Sequence, residues 1–137
     1  SDYLDRLYKP SDLNEMLGLC DFVVDCLPVT NETLGTFSLD QFKAMKPSSM
    51  FINVGRGETV IEEDLHTALI SGEIECAALD VTDPEPLDEN SPLWDLENCF
   101  ITPHDSAWGP RAPDRAVEVF LSNLERYKRG EKLHNLA

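Results

Sequence analysis

Short apolar runs in the middle of the chain each end at a turn that carries a polar side chain. The runs are Met50–Asn53, Ile74–Leu79 and Cys99–Thr102, and a further run opens at Asp21 and continues to Leu27. Runs of this length, bounded by Gly, Pro or Asp, are typical of strands buried on both faces of a sheet. Because helical patterns lie between the runs, we expect the strands to be parallel and joined by helices.

Apolar residues at helical spacing predict four helices around these strands. Asp12 begins a short helix, Ser38 caps a second over Leu39–Lys46, and two longer helices are expected over Ile61–Ile70 and Asp114–Arg129. The inward stripes of the last two helices should be formed by Ile61, Leu65, Ala68 and Leu69, and by Ala116, Val117, Phe120, Leu121 and Leu124. The sequence therefore predicts an α/β fold, half of a doubly wound parallel sheet with about four parallel strands and flanking helices.

The charge of the chain narrows the choice of partners. Its 26 acidic and 11 basic residues give a formal charge of −15. Nucleic acids and anionic membrane surfaces are bound through clustered Lys and Arg, so neither is expected as a partner. No apolar run approaches the roughly 20 residues of a membrane-spanning helix, and no signal peptide opens the sequence. An anionic substrate would need a local positive centre, which draws attention to Arg56.

The four cysteines give no sign of a metal site or of a disulfide framework. They lie in or beside apolar runs and form no CxxC pair; they are Cys20, Cys26, Cys76 and Cys99. We expect buried free thiols in a reducing compartment, and hence a cytoplasmic protein without a bound metal.

Three chemically active side chains follow the predicted strands at the edge where open α/β sheets bind ligands. Arg56 lies between two glycines after the second run, Glu85 lies in a Pro-rich loop after the third, and His104 follows the fourth. A guanidinium can hold a carboxylate through two hydrogen bonds, and an imidazole is a common general acid or base. We therefore expect a site in which Arg56 binds a carboxylate while His104, steadied by Glu85, exchanges a proton with a neighbouring oxygen.

Each of these residues also has a purely structural interpretation, which the sequence leaves open. Arg56 would then be a surface side chain paired with a nearby carboxylate, Glu85 a solvated residue of an acidic loop, and His104 a structural histidine. Asp80, the first residue after the third run, can either accept a hydrogen bond from the amide group of a cofactor or cap its own loop.

The loop that carries Glu85 is expected to be stiff and anchored. Prolines on both sides of Glu85 restrict its backbone within the Pro-rich loop at Asp83–Pro92. Just beyond this loop, Trp94 and Leu96 are expected to be buried anchors.

In these residues the chain resembles the D-2-hydroxyacid dehydrogenase family. The matching motifs are Cys20-Asp21-Phe22-Val23 with Leu27-Pro28 and Thr33, Met50-Phe51-Ile52-Asn53-Val54-Gly55-Arg56-Gly57, Ala78-Leu79-Asp80-Val81 with Glu85-Pro86-Leu87, and Thr102-Pro103-His104. They occur in the family's order and spacing from about Ser11 to the C-terminus. The resemblance implies a Rossmann-like nucleotide-binding domain of an enzyme that transfers a hydride between NAD or NADP and a small 2-oxo or 2-hydroxy acid.

The resemblance also implies roles for individual residues. Arg56 would orient the substrate carboxylate, His104 would be the acid/base, and Glu85 would be its partner. The implied cofactor-binding residues are Leu27, Pro28, Thr33, Val54, Gly55, Arg56, Asp80 and His104, with Asp80 at the nicotinamide amide. The expected partners are a small 2-oxo acid and a second copy of the chain, because the family's nucleotide domains form dimers and half a sheet leaves apolar surface bare.

Several features depart from the family's pattern. The glycine-rich phosphate loop, GxGxxG, and most of the separate substrate domain have no counterpart in the 137 residues. We therefore expect one partial NAD(P)-binding domain with its core at about 11–105, followed by a helix and tail at 106–137. Asp25 and Cys26 stand where an apolar residue and often a His or Asn are usual, and Asp105 stands where a small or apolar residue is common.

Two hypotheses remain open at this point. The chain is either part of a working dehydrogenase, or a catalytically inert half-domain that dimerises or senses a dinucleotide. Under the first hypothesis the activity belongs to a longer protein, and we do not expect these 137 residues alone to be active.

Overall fold

The computed structural model describes residues 4–135 and divides the chain into two compact units, with the boundary after His104. The first unit contains the sheet and the second contains the last helix. Residues 1–3 and 136–137, at the two ends of the predicted domain and tail, lie outside the described range. The assignment of a partial NAD(P)-binding domain with its core at about 11–105 stays a prediction.

Four short strands form one parallel sheet in the order β1-β2-β3-β4. They are β1 (Phe22–Asp25), β2 (Met50–Asn53), β3 (Cys76–Leu79) and β4 (Cys99–Ile101). The number and direction of the strands are as predicted, and β2 has the predicted bounds. Each crossover between neighbouring strands runs through helical or 3₁₀ segments, as parallel pairing requires.

Strand β1 ends two residues earlier than predicted because its last residue turns the chain. Asp25 Oδ1 accepts a hydrogen bond from the backbone N–H of Leu27 at 2.8 Å, two residues further on. This local side-chain bond competes with extended pairing and closes the strand at Asp25.

The register of the sheet brings the carboxyl ends of the strands into one row. Asp25 lies beside Asn53, Asn53 beside Leu79, and Leu79 beside Ile101. The loops that follow the four strands therefore leave the sheet side by side at one edge.

The helices lie close to their predicted positions. Within the described residues the α-helices are α1 (Leu13–Leu17), α2 (Leu39–Ala44), α3 (Glu62–Ser71) and α4 (Ala112–Lys128), and the 3₁₀ turns are Pro10–Asp12, Gly57–Thr59 and Pro92–Asp95. At the start of α2, Gln41 Oε1 accepts the backbone N–H of Ser38 at 3.2 Å, which satisfies a donor that the helix leaves unpaired. Helix α3 ends at Gly72, whose φ of 75° is left-handed and suits glycine.

The core lies between the sheet and helices α1 to α3. Three phenyl rings form its centre: the Phe37 and Phe51 centroids are 4.8 Å apart, and the Phe42 ring meets Phe51 edge-on at 5.3 Å. The same cluster includes strand residues Val23, Ala77 and Leu79 and helix residues Leu17, Leu65, Ala68 and Leu69.

Among the described residues of the first unit, the strands are buried on one face only, so the prediction of strands buried on both faces is wrong. Phe22 is 68% exposed, Val24 54% and Phe100 56%. Residues of helices α1, α2 and α3 belong to one apolar cluster with inward-facing strand residues. Those strand residues alternate with the exposed ones, so the three helices pack on a single face of the sheet. The opposite face of the first unit therefore presents apolar side chains to solvent.

Three further predictions of burial are wrong. Ile61 is exposed because it precedes α3 as its N-cap, and the five residues expected to face inward on α4 are all exposed. Trp94 is 52% exposed because its indole N–H reaches the surface carbonyl of Asp88 at 2.9 Å. Its neighbour Leu93 fills the core instead, and Leu96 is half-buried.

The cysteines are free thiols, as predicted, but they are less buried than expected. Cys26 is exposed because it lies beyond the end of β1, and the other three are half-buried. Among residues 4–135, no helix has the length and apolar character needed to cross a membrane.

Candidate active site

His104 and Glu85, which the sequence predicts to act together, are in contact at the carboxyl edge of the sheet. His104 Nδ1 lies 2.6 Å from Glu85 Oε1, and about two-fifths of each side chain is exposed. His104 has a φ of 55°, in the left-handed region that a non-glycine residue seldom adopts. This backbone turns the chain directly after Pro103 while the ring stays against Glu85. Strained conformations of this kind are concentrated at functional sites.

The His104–Glu85 pair lines a cavity of about 650 Å³. The other lining residues come from the loop after β3 and from the end of β4; they are Asp80, Thr82, Pro86, Leu87, Trp94, Ile101, Thr102 and Pro103. The walls are mainly apolar and the polar groups are few, which is the usual composition of a small-molecule site.

Asp80 is buried at the end of β3, with 5% of its surface exposed. Its Oδ1 accepts a hydrogen bond from Thr102 Oγ1 at 2.6 Å, which joins the ends of β3 and β4. The structural interpretation of Asp80 is therefore realised in part, since the carboxyl group ties two loops together. It also lines the cavity that contains His104, so the predicted cofactor contact stays open as a proposal.

Arg56 lies in a different depression from His104, over the ends of β1 and β2. Its Nη1 donates to the carbonyl of Gly55 at 2.7 Å. The guanidinium forms no ion pair with any residue in the described range. The interpretation of Arg56 as a surface partner of a nearby carboxylate is therefore not realised, although the chain has 26 acidic residues.

The glycines on either side of Arg56 bring three loops into close contact. A Cβ on Gly55 would lie 2.8 Å from the carbonyl oxygen of Leu27, and a Cβ on Gly57 would lie 2.1 Å from the carbonyl carbon of Thr82. Glycines at the end of a strand can leave room for the close approach of a ligand. In the structure, that room is filled by the backbone of the loops after β1 and β3. Arg56 is therefore held between two neighbouring loops.

Two buried side chains that sequence reasoning did not single out fix the backbone of Arg56. Asn53 Nδ2 donates to the Arg56 carbonyl at 2.9 Å while Asn53 Oδ1 accepts the Gly55 N–H at 2.9 Å, and the Thr59 hydroxyl lies 2.6 Å from the same carbonyl. Asn53 is in phase with Phe51 along β2, so the two-residue period of a strand placed it inward. A polar residue at an inward position was the signal in the sequence.

The other predicted cofactor residues lie at the β1 end of the edge. Leu27, Pro28, Val54 and Gly55 line the depression of about 430 Å³ that contains Arg56. Thr33 does not line it; its hydroxyl instead donates to the carbonyl of Pro28 at 2.6 Å and accepts the N–H of Thr30 at 2.8 Å. Thr33 therefore shapes the loop that presents Leu27 and Pro28.

The pKa values of two side chains outside the cavity lining, Cys99 and Asp88, are shifted. Burial raises the pKa of the Cys99 thiol to about 11, and the charge of Glu62 acts in the same direction. The backbone N–H of Asn90, followed by its side-chain amide, lowers the pKa of Asp88, so this carboxylate stays charged as it caps the Pro-rich loop. Within residues 4–135, no cluster of three His, Cys, Asp or Glu side chains could hold a metal ion.

Comparison with known proteins decides the family. Residues 2–106 match the family model described as D-isomer specific 2-hydroxyacid dehydrogenase, NAD binding domain. The chain belongs to this family. The predicted family is thereby confirmed. The matched part of the family is its NAD binding domain, which agrees with the predicted nicotinamide dinucleotide cofactor.

Curated relatives and solved structures agree with this assignment. The human glyoxylate reductase/hydroxypyruvate reductase is 40% identical over 119 residues, which cover 87% of this chain and 36% of the relative. The glyoxylate/hydroxypyruvate reductase B of Shigella boydii is 48% identical over 93 residues, or 68% of this chain and 29% of the relative. The chain spans 29% to 42% of the length of the curated relatives it matches.

Among solved structures, a family member from Aeromonas salmonicida superposes with a TM-score of 0.85 at 42% identity, covering 95% of this chain and 41% of its own. The NADPH-dependent glyoxylate/hydroxypyruvate reductase of Sinorhizobium meliloti, in complex with NADP and sulfate, gives a TM-score of 0.84 at 33% identity, covering 95% and 42%. The predicted α/β, Rossmann-like parallel sheet of this dehydrogenase family is thereby confirmed.

Proposed function

We propose that this chain is part of an oxidoreductase that transfers a hydride between NAD(P)H and a small 2-oxo or 2-hydroxy acid. The observation that carries the proposal is the 2.6 Å contact between His104 Nδ1 and Glu85 Oε1 in the wall of a cavity at the carboxyl edge of the sheet. Relatives named glyoxylate and hydroxypyruvate reductases support small 2-oxo acids, similar in size to glyoxylate and hydroxypyruvate, as substrates.

His104 is the general acid in the direction of reduction. With Nδ1 held by Glu85, the opposite nitrogen Nε2 delivers a proton to the carbonyl oxygen of the 2-oxo acid, and in oxidation it removes the hydroxyl proton. Glu85 keeps the ring in one orientation and stabilises its protonated form, as carboxylate partners of catalytic histidines do.

Arg56 binds the carboxylate of the substrate. Its guanidinium makes no ion pair with a described residue and can offer two parallel N–H donors to a carboxylate. Asn53 and Thr59 fix its backbone, so little order has to be gained when the substrate binds. The bound acid would lie between Arg56 and His104, across the ends of β2 to β4.

The residues of the edge fit a nicotinamide dinucleotide, either NAD or NADP. Apolar Leu27, Pro28 and Val54 line one depression, and buried Asp80 offers an acceptor in the neighbouring cavity. We propose that these residues hold the cofactor together with Thr33, Gly55, Arg56 and His104, with Asp80 at the carboxamide. When bound, the reduced cofactor would supply the hydride for the carbonyl carbon of the 2-oxo acid.

We further propose that the chain forms a homodimer. The apolar side chains of Phe22, Val24 and Phe100 on the open face of the sheet support this proposal, since exposed apolar patches mark interaction surfaces.

A fluorescence titration with NADH and NADPH, in the presence of glyoxylate or hydroxypyruvate, tests the proposed reaction. We expect saturable binding followed by loss of the reduced-cofactor signal when these residues stand in a chain that also carries a glycine-rich loop and a substrate domain, whereas the 137 residues alone should show no turnover. His104→Gln should still bind the cofactor through the other proposed contacts, though less tightly, and should abolish the loss of signal. His66→Gln on α3 is the matched control and should behave as the unchanged protein does. A flat titration from a folded sample would favour the inert half-domain instead.

A further inference from the structure

Asp25, a buried acidic residue, has no part in the chemistry proposed above. It is the last residue of β1, and only 2% of its surface is exposed. Its Oδ1 accepts the backbone N–H of Leu27 at 2.8 Å, and its Oδ2 accepts the hydroxyl of Thr59. Thr59 is fully buried and lies 34 residues further along the chain.

A buried polar pair of this kind is a costly way to fill space. A carboxyl group loses its hydration on burial and is tolerated only where hydrogen bonds replace the lost water. Two apolar side chains of similar volume would fill the same space without that cost. The pair therefore needs an explanation other than core stability, and the groups that it joins provide one.

The hydrogen bonds of Asp25 and Thr59 connect the two loops that frame the Arg56 depression. On one side, Asp25 holds the N–H of Leu27, at the start of the loop after β1. On the other side, the backbone N–H of Thr59 donates to the carbonyl of Arg56 at 3.3 Å, and the Thr59 hydroxyl, whose proton goes to Asp25, lies within 3.5 Å of the donor Asn53 Nδ2. The connection runs from Leu27 through two side chains to the backbone of Arg56.

We propose that Asp25 and Thr59 are positioning residues that set where the Arg56 guanidinium stands relative to the loop of Leu27 and Pro28. The inference rests on the proposed role of Arg56 in binding the substrate carboxylate. Close packing of Gly55 against Leu27 brings the two loops together, and the Asp25–Thr59 hydrogen bond fixes one orientation of that contact. Without the bond, the loops keep their packing but Arg56 samples more than one position.

Kinetics of Thr59 variants, made in a chain that also carries a glycine-rich loop and a substrate domain, test whether the pair acts through Arg56. Thr59→Val should raise the KM for glyoxylate about tenfold with a smaller change in kcat, because a displaced guanidinium binds the carboxylate less well. Thr59→Ser keeps the hydroxyl and should restore the KM. Thr67→Val is the matched control, since it removes a threonine hydroxyl that bonds the Glu63 carbonyl at 2.8 Å on α3, and it should leave the KM unchanged.

A double-mutant cycle separates positioning from general destabilisation. In the background of Arg56→Ala, Thr59→Val should have no further effect on KM, because the residue through which it acts is gone. Effects that simply add would overturn the proposal. Asp25→Leu combined with Thr59→Val fills the core with apolar groups and keeps the test open if a single variant fails to fold; it should still raise the KM.

A measurement without substrate distinguishes failure of this inference from failure of the proposed function. Heteronuclear ¹⁵N NOE values at the amide of Leu27 and at the amide and Nε of Arg56 should fall in Thr59→Val, whereas the value at Ala77 in β3 stays constant. If a chain that also carries a glycine-rich loop and a substrate domain shows no reductase activity, the proposed function fails, and these NOE values alone then decide the positioning role. Unchanged NOE values at both loops would show that the pair does not position Arg56.

Discussion

Glu85 Oε1 lies 2.6 Å from His104 Nδ1, although 19 positions separate the two residues in the sequence. The contact exists because β3 and β4 are neighbours in the sheet, so the loop after β3 passes beside the end of β4. Two contacts hold this loop in place. Gly57 packs closely against the backbone of Thr82, and the Ser91 hydroxyl donates a hydrogen bond to Glu62 Oε1 at 2.5 Å.

Replacing the acidic partner should slow catalysis more than it weakens binding. Glu85→Gln keeps the size of the side chain but removes the charge that stabilises protonated His104, so we expect kcat to fall by about 10- to 100-fold. Steady-state reduction of glyoxylate measures the effect. Glu89→Gln, in the same loop, is the control and should keep full activity; an equal loss in both variants would assign the effect to the loop.

Replacing Arg56 by lysine should act mainly on the KM for the 2-oxo acid. Arg56→Lys keeps the positive charge but loses the planar pair of donors, so the KM for the 2-oxo acid should rise by about tenfold or more. The KM for the cofactor should change less. Arg129→Lys, at the surface end of α4, is the matched control. A KM for the acid that stays constant in Arg56→Lys would contradict the proposed role.

A methyl group at Gly57 should destabilise the fold and displace the Glu85 loop. The added Cβ would lie 2.1 Å from the Thr82 carbonyl carbon and 2.6 Å from the Asp83 nitrogen, so backbone atoms would have to move. We expect Gly57→Ala to lower the free energy of unfolding by about 2 kcal/mol or more. Gly109→Ala has open space around the new Cβ and should be close to neutral. Urea unfolding of both variants compares them directly.

The thiols should differ in their rate of reaction with a disulfide reagent. The pKa of Cys99 is raised to about 11 by burial, so at pH 8 almost all of this group is the unreactive thiol, and its thiolate gains population only as the pH rises toward 11. Cys26 is exposed and should react first. Mass spectrometry after timed labelling identifies the modified residue, with Cys26→Ser as the control. Rapid labelling of Cys99 in the folded chain at pH 8 would be inconsistent with its burial.

The proposed homodimer can be tested on the open face of the sheet. Phe100→Glu places a charge on that face, where the native ring is 56% exposed, and should shift the chain toward the monomer in light scattering coupled to gel filtration. Glu97→Gln, in the turn before β4, is the control. If both variants keep the same mass as the unchanged chain, the dimer does not use this face.

Much of the fold follows from local pattern, and the site follows only in part. The apolar runs located all four strands, because a strand of three or four residues is contained in a single run. Parallel topology then places Arg56, Glu85 and His104, which follow those strands, at one edge of the sheet. Which sheet face is covered depends on how the helices pack, which no single run records. The Asp25–Thr59 bond joins residues 34 positions apart, so it arises only once β1 and β2 lie side by side.

The exposure of Arg56 without a carboxylate partner among the described residues has a consequence for ionic strength. A substrate anion approaching this chain meets the repulsion of a net charge of −15 at long range and the attraction of one guanidinium at short range. The Debye length is about 10 Å at 0.1 M salt, so added salt removes the distant repulsion before it weakens a contact at hydrogen-bonding distance. Moderate salt should therefore quicken the capture of the anion, which is the reverse of the slowing that salt imposes on proteins whose overall charge attracts their ligand.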